Sequence, residues 1–256
     1  MTLIQTILLG ALEGLTEFLP ISSTAHLMIA DRLLSVTSSA FVSSFNIAIQ
    51  LGAILAVVIL FAGRLRRDRA LWFKLGAAFL PTALVGFLFY NLIKEVLLES
   101  LGVVAVALAV GGVALIVLER WFDRRAEAGR ELTQLTWRQA SLIGLAQSLA
   151  VIPGVSRAAA TIIGGRALGL SRPEAALFSF LLAVPTMLAA TAFDLLQTSV
   201  VFSGRQWGIL GLGAVVAFVT AWLTVRWFIA FVSRHSFAVF GWYRMLLGLL
   251  VLLWLA

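Results

Sequence analysis

Glu13 and Glu17 stand four residues apart inside an apolar N-terminal stretch, and Pro20, Ser22, Ser23, Thr24 and His26 follow at once. A spacing of i, i+4 puts both carboxylates on one face of a helix. A carboxylate at the centre of a membrane helix costs roughly 2.5–3.5 kcal/mol on insertion scales. Two of them beside hydroxyls and an imidazole therefore mark a buried polar site. Far downstream comes Pro153-Gly154-Val155-Ser156-Arg157, with Thr161 one turn further on. Gly154 permits a tight turn, and Arg157 offers a planar fork of donors suited to phosphate or carboxylate. A helix starting at this point aims backbone N–H groups and its dipole at an anion. Together the two clusters hold an anion clamp, a nucleophile or base, a proton donor and two carboxylates able to bind a divalent cation. That is the set required for attack on a phosphoryl group.

The elements that must position these residues are membrane helices. The hydrophobic fraction is 61% and the charged fraction 12%, against about 45–50% and about 25% in soluble domains. Six stretches, about 41–62, 71–93, 101–119, 174–197, 207–229 and 237–256, approach the roughly 20 residues that a helix needs to cross the hydrocarbon core. Residues 2–34 and 138–170 are also apolar, but Leu19-Pro20-Ile21-Ser22-Ser23 interrupts the first and Ile152-Pro153-Gly154-Val155-Ser156-Arg157 the second. The half-segments are too short to span. Both regions read as re-entrant helix–loop–helix hairpins, which lipid tolerates only where protein or a water-filled cavity surrounds the irregular backbone. The expected fold is an all-α polytopic membrane protein, one integral domain over residues 1–256.

The two broken regions are related. Pro20-x-x-Ser23 recurs as Pro153-x-x-Ser156 at an offset of 133, which also carries Phe45 onto Phe178 and Gly52 onto Pro185. The halves, about 1–119 and 138–256, each read as a hairpin plus three spans and are joined by a loop at about 120–137. An odd number of crossings inverts the second half relative to the first, an architecture that places the site where the halves meet. Arg64, Arg66, Arg67 and Arg69 follow the first span, and Arg120, Arg124, Arg125 and Arg130 follow the third; the loop between carries only Lys94, next to Glu95. The positive-inside rule puts the two arginine-rich loops in the cytoplasm, so the first hairpin enters from the outer face and the second from the cytoplasmic face. The net charge of +7 is thereby topological. Nucleic acid is not expected as a partner, because no basic stretch is interleaved with exposed aromatics. The chain has no cysteine, which excludes disulfides and thiolate metal sites. Met1-Thr2-Leu3-Ile4 lacks the basic start of a signal peptide.

Other polar residues in the spans are weaker candidates. Asn46 and Gln50 lie one turn apart and either line the site or pack. Gln147, before the second turn, mirrors the acids of the first cluster. Arg244, inside the last span, reads as structural more than chemical, and His235 as solvated.

The run from Glu13 to Leu27, Glu13-Gly14-Leu15-Thr16-Glu17-Phe18-Leu19-Pro20-Ile21-Ser22-Ser23-Thr24-Ala25-His26-Leu27, closely resembles the glutamate-rich motif of the undecaprenyl-diphosphate phosphatase family, the bacitracin-resistance type of bacterial membrane phosphatase. The run from Pro153 to Thr161 resembles the family's second motif, with Ala158 and Ala159 where a serine and a glycine usually follow the arginine; Ala25 replaces a usual glycine. The resemblance covers the whole chain in length, span pattern and motif spacing. It implies removal of the terminal phosphate from a C55 polyprenyl diphosphate, which recycles the carrier lipid for peptidoglycan and other envelope polymers. It also implies a divalent cation, Mg²⁺ or Ca²⁺, and a multi-pass place in the cytoplasmic membrane with the site facing outward. On this resemblance Arg157, Gly154, Ser156 and Thr161 bind the diphosphate, with Ser22, Thr24 and Gln147 completing the binding set. Glu13 and Glu17 hold the cation or deprotonate the nucleophile, which is Ser23, His26 or a metal-held water; if Ser23 attacks, His26 is its base. The expected partners are the polyprenyl lipid and the bilayer, and a homo-oligomer stays open. The rival reading is a transporter or flippase for polyprenyl phosphates, since inverted repeats with intramembrane acids also mark ion-coupled carriers. The Ser-Ser-Thr-x-His and Pro-x-x-Ser-Arg clusters favour chemistry, because a carrier needs no nucleophile.

Overall fold

A computed structural model describes residues 1–37, 39–89, 100–124, 129–197 and 202–255. Lys94, Glu95 and Arg125, used above in comparing loop charges, lie outside these residues, as do the predicted span ends at 93 and 256. Apart from one isolated bridge between Arg130 and Leu170, the regular structure described is helical: α1 (Leu3–Thr16), α2 (Ser23–Leu33), α3 (Ala40–Leu60), α4 (Ala62–Arg67), α5 (Arg69–Leu88), α6 (Leu101–Arg124), α7 (Trp137–Gln147), α8 (Arg157–Ala167), α9 (Arg172–Gln197), α10 (Gly204–Val232) and α11 (Ala238–Leu255), with short 3₁₀ turns at Leu132–Gln134 and Ser148–Val151.

Six of these are long and apolar enough to cross a membrane: Ala40–Leu60, Arg69–Leu88, Leu101–Arg124, Arg172–Phe193, Gly204–Val232 and Ala238–Leu255. They match the six predicted spans. Their outward faces carry large apolar side chains such as Leu80, Phe87, Trp207, Leu223 and Leu253; lipid, unlike water, imposes no penalty on such a surface. The four helices of the two broken regions are short. α1 has 14 residues and α2, α7 and α8 have 11 each. At 1.5 Å per residue the longest reaches about 21 Å, against a hydrocarbon core about 30 Å thick.

Helix starts follow local chemistry. Thr2, Thr136 and Ser203 each form a capping box with a glutamine three residues on, and the Asp68 side chain accepts the Leu71 N–H. These satisfy backbone donors that would otherwise be orphaned at the first turn. Packing then relies on small residues that let backbones approach. A side chain on Gly112 would collide with the Gly241 carbonyl, joining α6 to α11. One on Gly14 would collide with Ala217, Thr220 and Ala221 of α10, and one on Gly144 with Ala78 of α5. Close approach through glycine and alanine is how helices associate where apolar burial alone drives nothing. So α1 lies on α10, α7 lies on α5, α6 lies on α11, and α3 and α9 cross between them.

At one end of the bundle the helix ends are tied by charge. Arg166 and Arg172 of α8 and α9 both pair with Glu119 and Asp123 of α6, and Arg64 reaches Glu174 at 3.3 Å. The ammonium of Lys74 donates to the carbonyls of Leu132 and Thr133, each at 3.0 Å. The arginine-rich loops after α3 and α6 thus gather at the same end. Ser236, in the α10–α11 connection, joins them through Glu119.

Candidate active site

The two irregular segments, 17–22 and 148–156, come together in the interior. α1 ends at Thr16, with Glu17 as its C-cap; the Thr16 hydroxyl turns back onto the Leu12 carbonyl. Among the described residues three outside glycine have positive φ, including Ser22 (71°) and Ser156 (72°), each at the N-cap of the helix that follows. The left-handed region is unfavourable for a residue with a Cβ, at of order 1–3 kcal/mol for such a conformation, and it persists where the surroundings over-determine it. The second turn also needs Gly154, whose φ is 96° and whose missing side chain would meet the Val104 carbonyl of α6 at 2.6 Å. The two serines lie 134 residues apart, one more than the Pro-x-x-Ser offset of 133. The first turn is therefore one residue shorter between proline and cap.

Between the turns lies a polar cavity of about 130 Å³, lined by Glu17, Ser22, Ser23, Thr24 and Gln50 on one side and by Pro153, Gly154, Ser156, Arg157 and Met187 on the other. Eight of the sequence-derived candidates thus border one cavity or supply its wall. Arg157 donates through Nη2 to Glu17 Oε1 at 3.3 Å and through Nη1 to the Ser179 carbonyl at 2.8 Å. The Ser23 hydroxyl donates to Glu17 Oε2 in a short contact. Glu17 is therefore shared between a guanidinium and a hydroxyl, one from each turn. The two serine caps differ. The Ser156 hydroxyl accepts the Ala159 N–H at 3.2 Å, whereas the Ser22 side chain makes no capping bond.

Glu13 lies directly behind, fully buried beside Glu17 and under the influence of Arg157. Among the described residues neither of its carboxyl oxygens has a hydrogen-bond partner. Among the described residues no group of three or more His, Cys, Asp or Glu side chains could hold a metal. Glu13 and Glu17 supply hard oxygen donors, two of them unpartnered, with hydroxyls close by. Such a set fits Mg²⁺ or Ca²⁺ when phosphate oxygens and water complete the shell, as Mg²⁺ prefers.

Four candidates are placed elsewhere or are already engaged. His26 is buried outside the cavity wall. Its Nδ1 faces the Ser22 carbonyl and its Nε2 the Tyr243 hydroxyl, both at 2.7 Å. A carbonyl only accepts, so Nδ1 carries a proton, and Nε2 is joined to the Tyr243 hydroxyl. Thr161 is fully buried, with its hydroxyl held between the Arg157 and Ala158 carbonyls and Ser179 Oγ. It steadies the helix turn that carries Arg157 and does not border the cavity. Gln147 is also fully buried, donating to the hydroxyls of Thr82 (2.8 Å) and Thr186 (3.3 Å). Asn46 donates to Asp31 at 2.8 Å, while Gln50, one turn on, reaches the cavity.

Sequence reading missed Ser179, Met187 and Tyr243, and undervalued Arg244. Tyr243 reads as an interfacial aromatic and Ser179 as a helix serine; neither carries a signal of its own. Arg244 did carry one, as a charge in the middle of an apolar span.

Comparison with known proteins places the chain in a family. The family profile described as Bacitracin resistance protein BacA matches residues 6–250. A protein of Aquifex aeolicus named undecaprenyl-diphosphatase is 48% identical over 249 residues, covering 97% of each chain. Proteins of the same name from Thermus thermophilus and Bdellovibrio bacteriovorus are 48% and 44% identical, over 95% and 99% of this chain and 94% and 96% of theirs. With a profile match across nearly its full length and relatives this similar end to end, the chain belongs to the BacA family.

Proposed function

We propose that the protein is a membrane phosphatase that removes the terminal phosphate of undecaprenyl diphosphate, releasing undecaprenyl phosphate and inorganic phosphate. The observation that carries this reading is the shared Glu17: one oxygen on the Ser23 hydroxyl, the other on Arg157, at the wall of a cavity sized for a diphosphate rather than for a lipid tail.

Arg157 and the N-termini of α2 and α8 receive the diphosphate. The uncapped first turn of α2 leaves its backbone N–H groups for the anion. The Ser23 oxygen attacks the terminal phosphorus as Glu17 takes the hydroxyl proton. The bond from that phosphorus to the bridging oxygen breaks, and undecaprenyl phosphate leaves. Glu17 passes the hydroxyl proton to the departing undecaprenyl phosphate. Water then attacks the phosphoserine and gives a proton to Glu17 as the bond from phosphorus to the Ser23 oxygen breaks. Glu17 returns the proton to Ser23, freeing inorganic phosphate. Ser23 is favoured over His26 because both imidazole nitrogens are engaged by Ser22 and Tyr243, and because Ser23 donates to Glu17 and not to His26. His26 instead fixes the Ser22 carbonyl at the start of α2. A divalent cation held by Glu13 and Glu17, when bound, would offset charge on the phosphoryl oxygens.

The gathered arginines at one end support a cytoplasmic placement of that end in the bacterial inner membrane. The short helices on either side of each turn support two re-entrant hairpins within an inverted repeat of residues 1–119 and 138–256. The paired contacts of α1 with α10 and α7 with α5 follow that symmetry. The site then opens to the outer face.

The test is phosphate release from C55 diphosphate by purified protein in detergent, with and without a chelator, beside Glu17→Ala. Release that falls with the chelator and with the mutant supports a cation-assisted phosphatase at this site. A folded wild type that releases nothing in several detergents with added Mg²⁺ or Ca²⁺ overturns the enzyme and leaves the carrier.

A further inference from the structure

We infer that Arg244 is a positioning residue: from α11, outside both motifs, it holds the two turns of the site in register. This rests on the phosphatase reading of the cavity. Arg244 is fully buried. Its Nη1 donates to the Pro20 carbonyl at 3.2 Å, and its Nη2 donates to the Gly154 carbonyl at 2.9 Å and the Ala107 carbonyl of α6 at 3.4 Å. No carboxylate pairs with it among the described residues, and its Nε has no partner.

A guanidinium taken out of water without a counter-charge is costly to bury, so a purely packing role would be served better by an apolar side chain. What the fork gains is geometry. Pro20 stands two residues before Ser22, and Gly154 two residues before Ser156, so Arg244 grips equivalent carbonyls in the two turns, each just ahead of a left-handed serine. A rigid planar fork fixes the separation of two such acceptors in a way a lysine cannot.

Among the described residues the other polar link between the turns is the Glu17–Arg157 pair. That pair is part of the reacting set, and an incoming phosphate competes with Glu17 for Arg157. No backbone hydrogen bond joins segment 17–22 to segment 152–157 among the described residues. Arg244 is thus the tie that stays when the anion arrives, and it keeps Ser23, on one turn, aligned with the phosphate held on the other.

Gly111 of α6 gives a way to disturb the guanidinium without touching it. A side-chain carbon on Gly111 would run into Arg244 Nη2 and come within 3.0 Å of Cζ, the far end of a flexible side chain, with no backbone in the way.

The experiment compares Arg244→Lys and Gly111→Ala with the wild type in phosphate release from C55 diphosphate. Wild-type release, measured first, tests the phosphatase reading alone. For Arg244→Lys we expect kcat to fall about 100-fold, the scale of a misplacement of about 1 Å, with KM little changed. For Gly111→Ala we expect a fall of about tenfold. Wild-type kcat in both variants overturns the inference, and so does a raised KM with kcat intact, which would make Arg244 a simple anion attractor. If Arg244→Lys does not fold, Gly111→Ala decides alone by the same results. A readout independent of turnover uses spin labels on cysteines placed at Leu19 and Ile152, in a chain with no native cysteine. Arg244→Lys should broaden the distance distribution between the turns, and an unchanged distribution also overturns the inference.

Discussion

The two turns use one backbone device for different purposes. Each ends a short helix, passes through a proline, places a serine at φ near 71–72° and starts a new helix. In the second turn the Ser156 hydroxyl caps its own helix, and Arg157 follows as a fixed cation. In the first, Ser22 caps nothing, the next residue is Ser23, and the side chains nearby are two glutamates and a histidine. On the proposed mechanism the second turn holds the anion and the first acts on it. Division between the halves keeps the acid and the guanidinium on separate elements, so that their spacing is set by tertiary packing and not by one helix.

The comparison breaks most sharply at the paired serines. Ser23→Ala removes the group proposed to attack, and kcat should fall by at least about 10⁴-fold, as for loss of a nucleophile elsewhere. Phosphate release close to wild type from Ser23→Ala would return the reaction to a water nucleophile. Next in size is Arg157→Lys. It keeps the charge but loses the fork that engages Glu17 and the Ser179 carbonyl together, and about 10²–10³-fold should be lost from kcat. Steady-state kinetics with turnover near wild type in that mutant would remove Arg157 as the clamp.

A third contrast lies behind the turns. Counted back from the left-handed serines, Glu13 and Gln147 hold equivalent places; both are fully buried, yet their surroundings differ. The Thr82 and Thr186 hydroxyls are spent on the Gly144 and Leu182 carbonyls, so towards Gln147 they can only accept, and the amide Nε2–H groups satisfy them. Glu13 has no such partners. Among the described residues Gln147 thus engages its Nε2 but leaves its Oε1 without a partner, whereas neither Glu13 oxygen is engaged. A carboxylate with both oxygens free suits the proposed cation site where a neutral amide does not. Glu13→Gln should raise the half-saturating Mg²⁺ concentration for phosphate release by about 10–100-fold, the scale for losing support of a metal ligand. A Mg²⁺ titration that superimposes on the wild type would take Glu13 out of the cation site.

Much of this was legible in the sequence for physical reasons. Six spans and two broken regions follow from hydropathy and proline placement, since lipid allows little else. Glu13, Glu17 and Arg157 stood out because charge in an apolar stretch is expensive, and Ser23 because it follows the proline break next to the two acids. The one-residue difference between the turns was not legible. Pro20-x-x-Ser23 and Pro153-x-x-Ser156 match as text, but the serines that take the left-handed cap are Ser22 and Ser156, and only the path of the backbone separates them. Thr161 had the right chemistry and the right spacing, yet its hydroxyl turns back into its own helix, as threonine hydroxyls commonly do. Tyr243 and Ser179 act through contacts formed across more than one helix, and no local pattern announces such contacts.

The smallest effect expected is also the most direct check on the two caps. Ser156→Ala removes the bond to the Ala159 N–H and should lower stability by about 1 kcal/mol, the usual value of a serine N-cap. Ser22→Ala has no side-chain cap to remove, so it should leave thermal unfolding in detergent nearly unchanged. In turnover the order should reverse. Ser22 borders the cavity next to the proposed nucleophile, while the Ser156 hydroxyl is committed to its own helix. Equal stability losses in the two mutants, read from paired unfolding curves, would mean that Ser22 also caps its helix, and the contrast between a holding turn and a reacting turn would then rest on Arg157 and Glu17 alone.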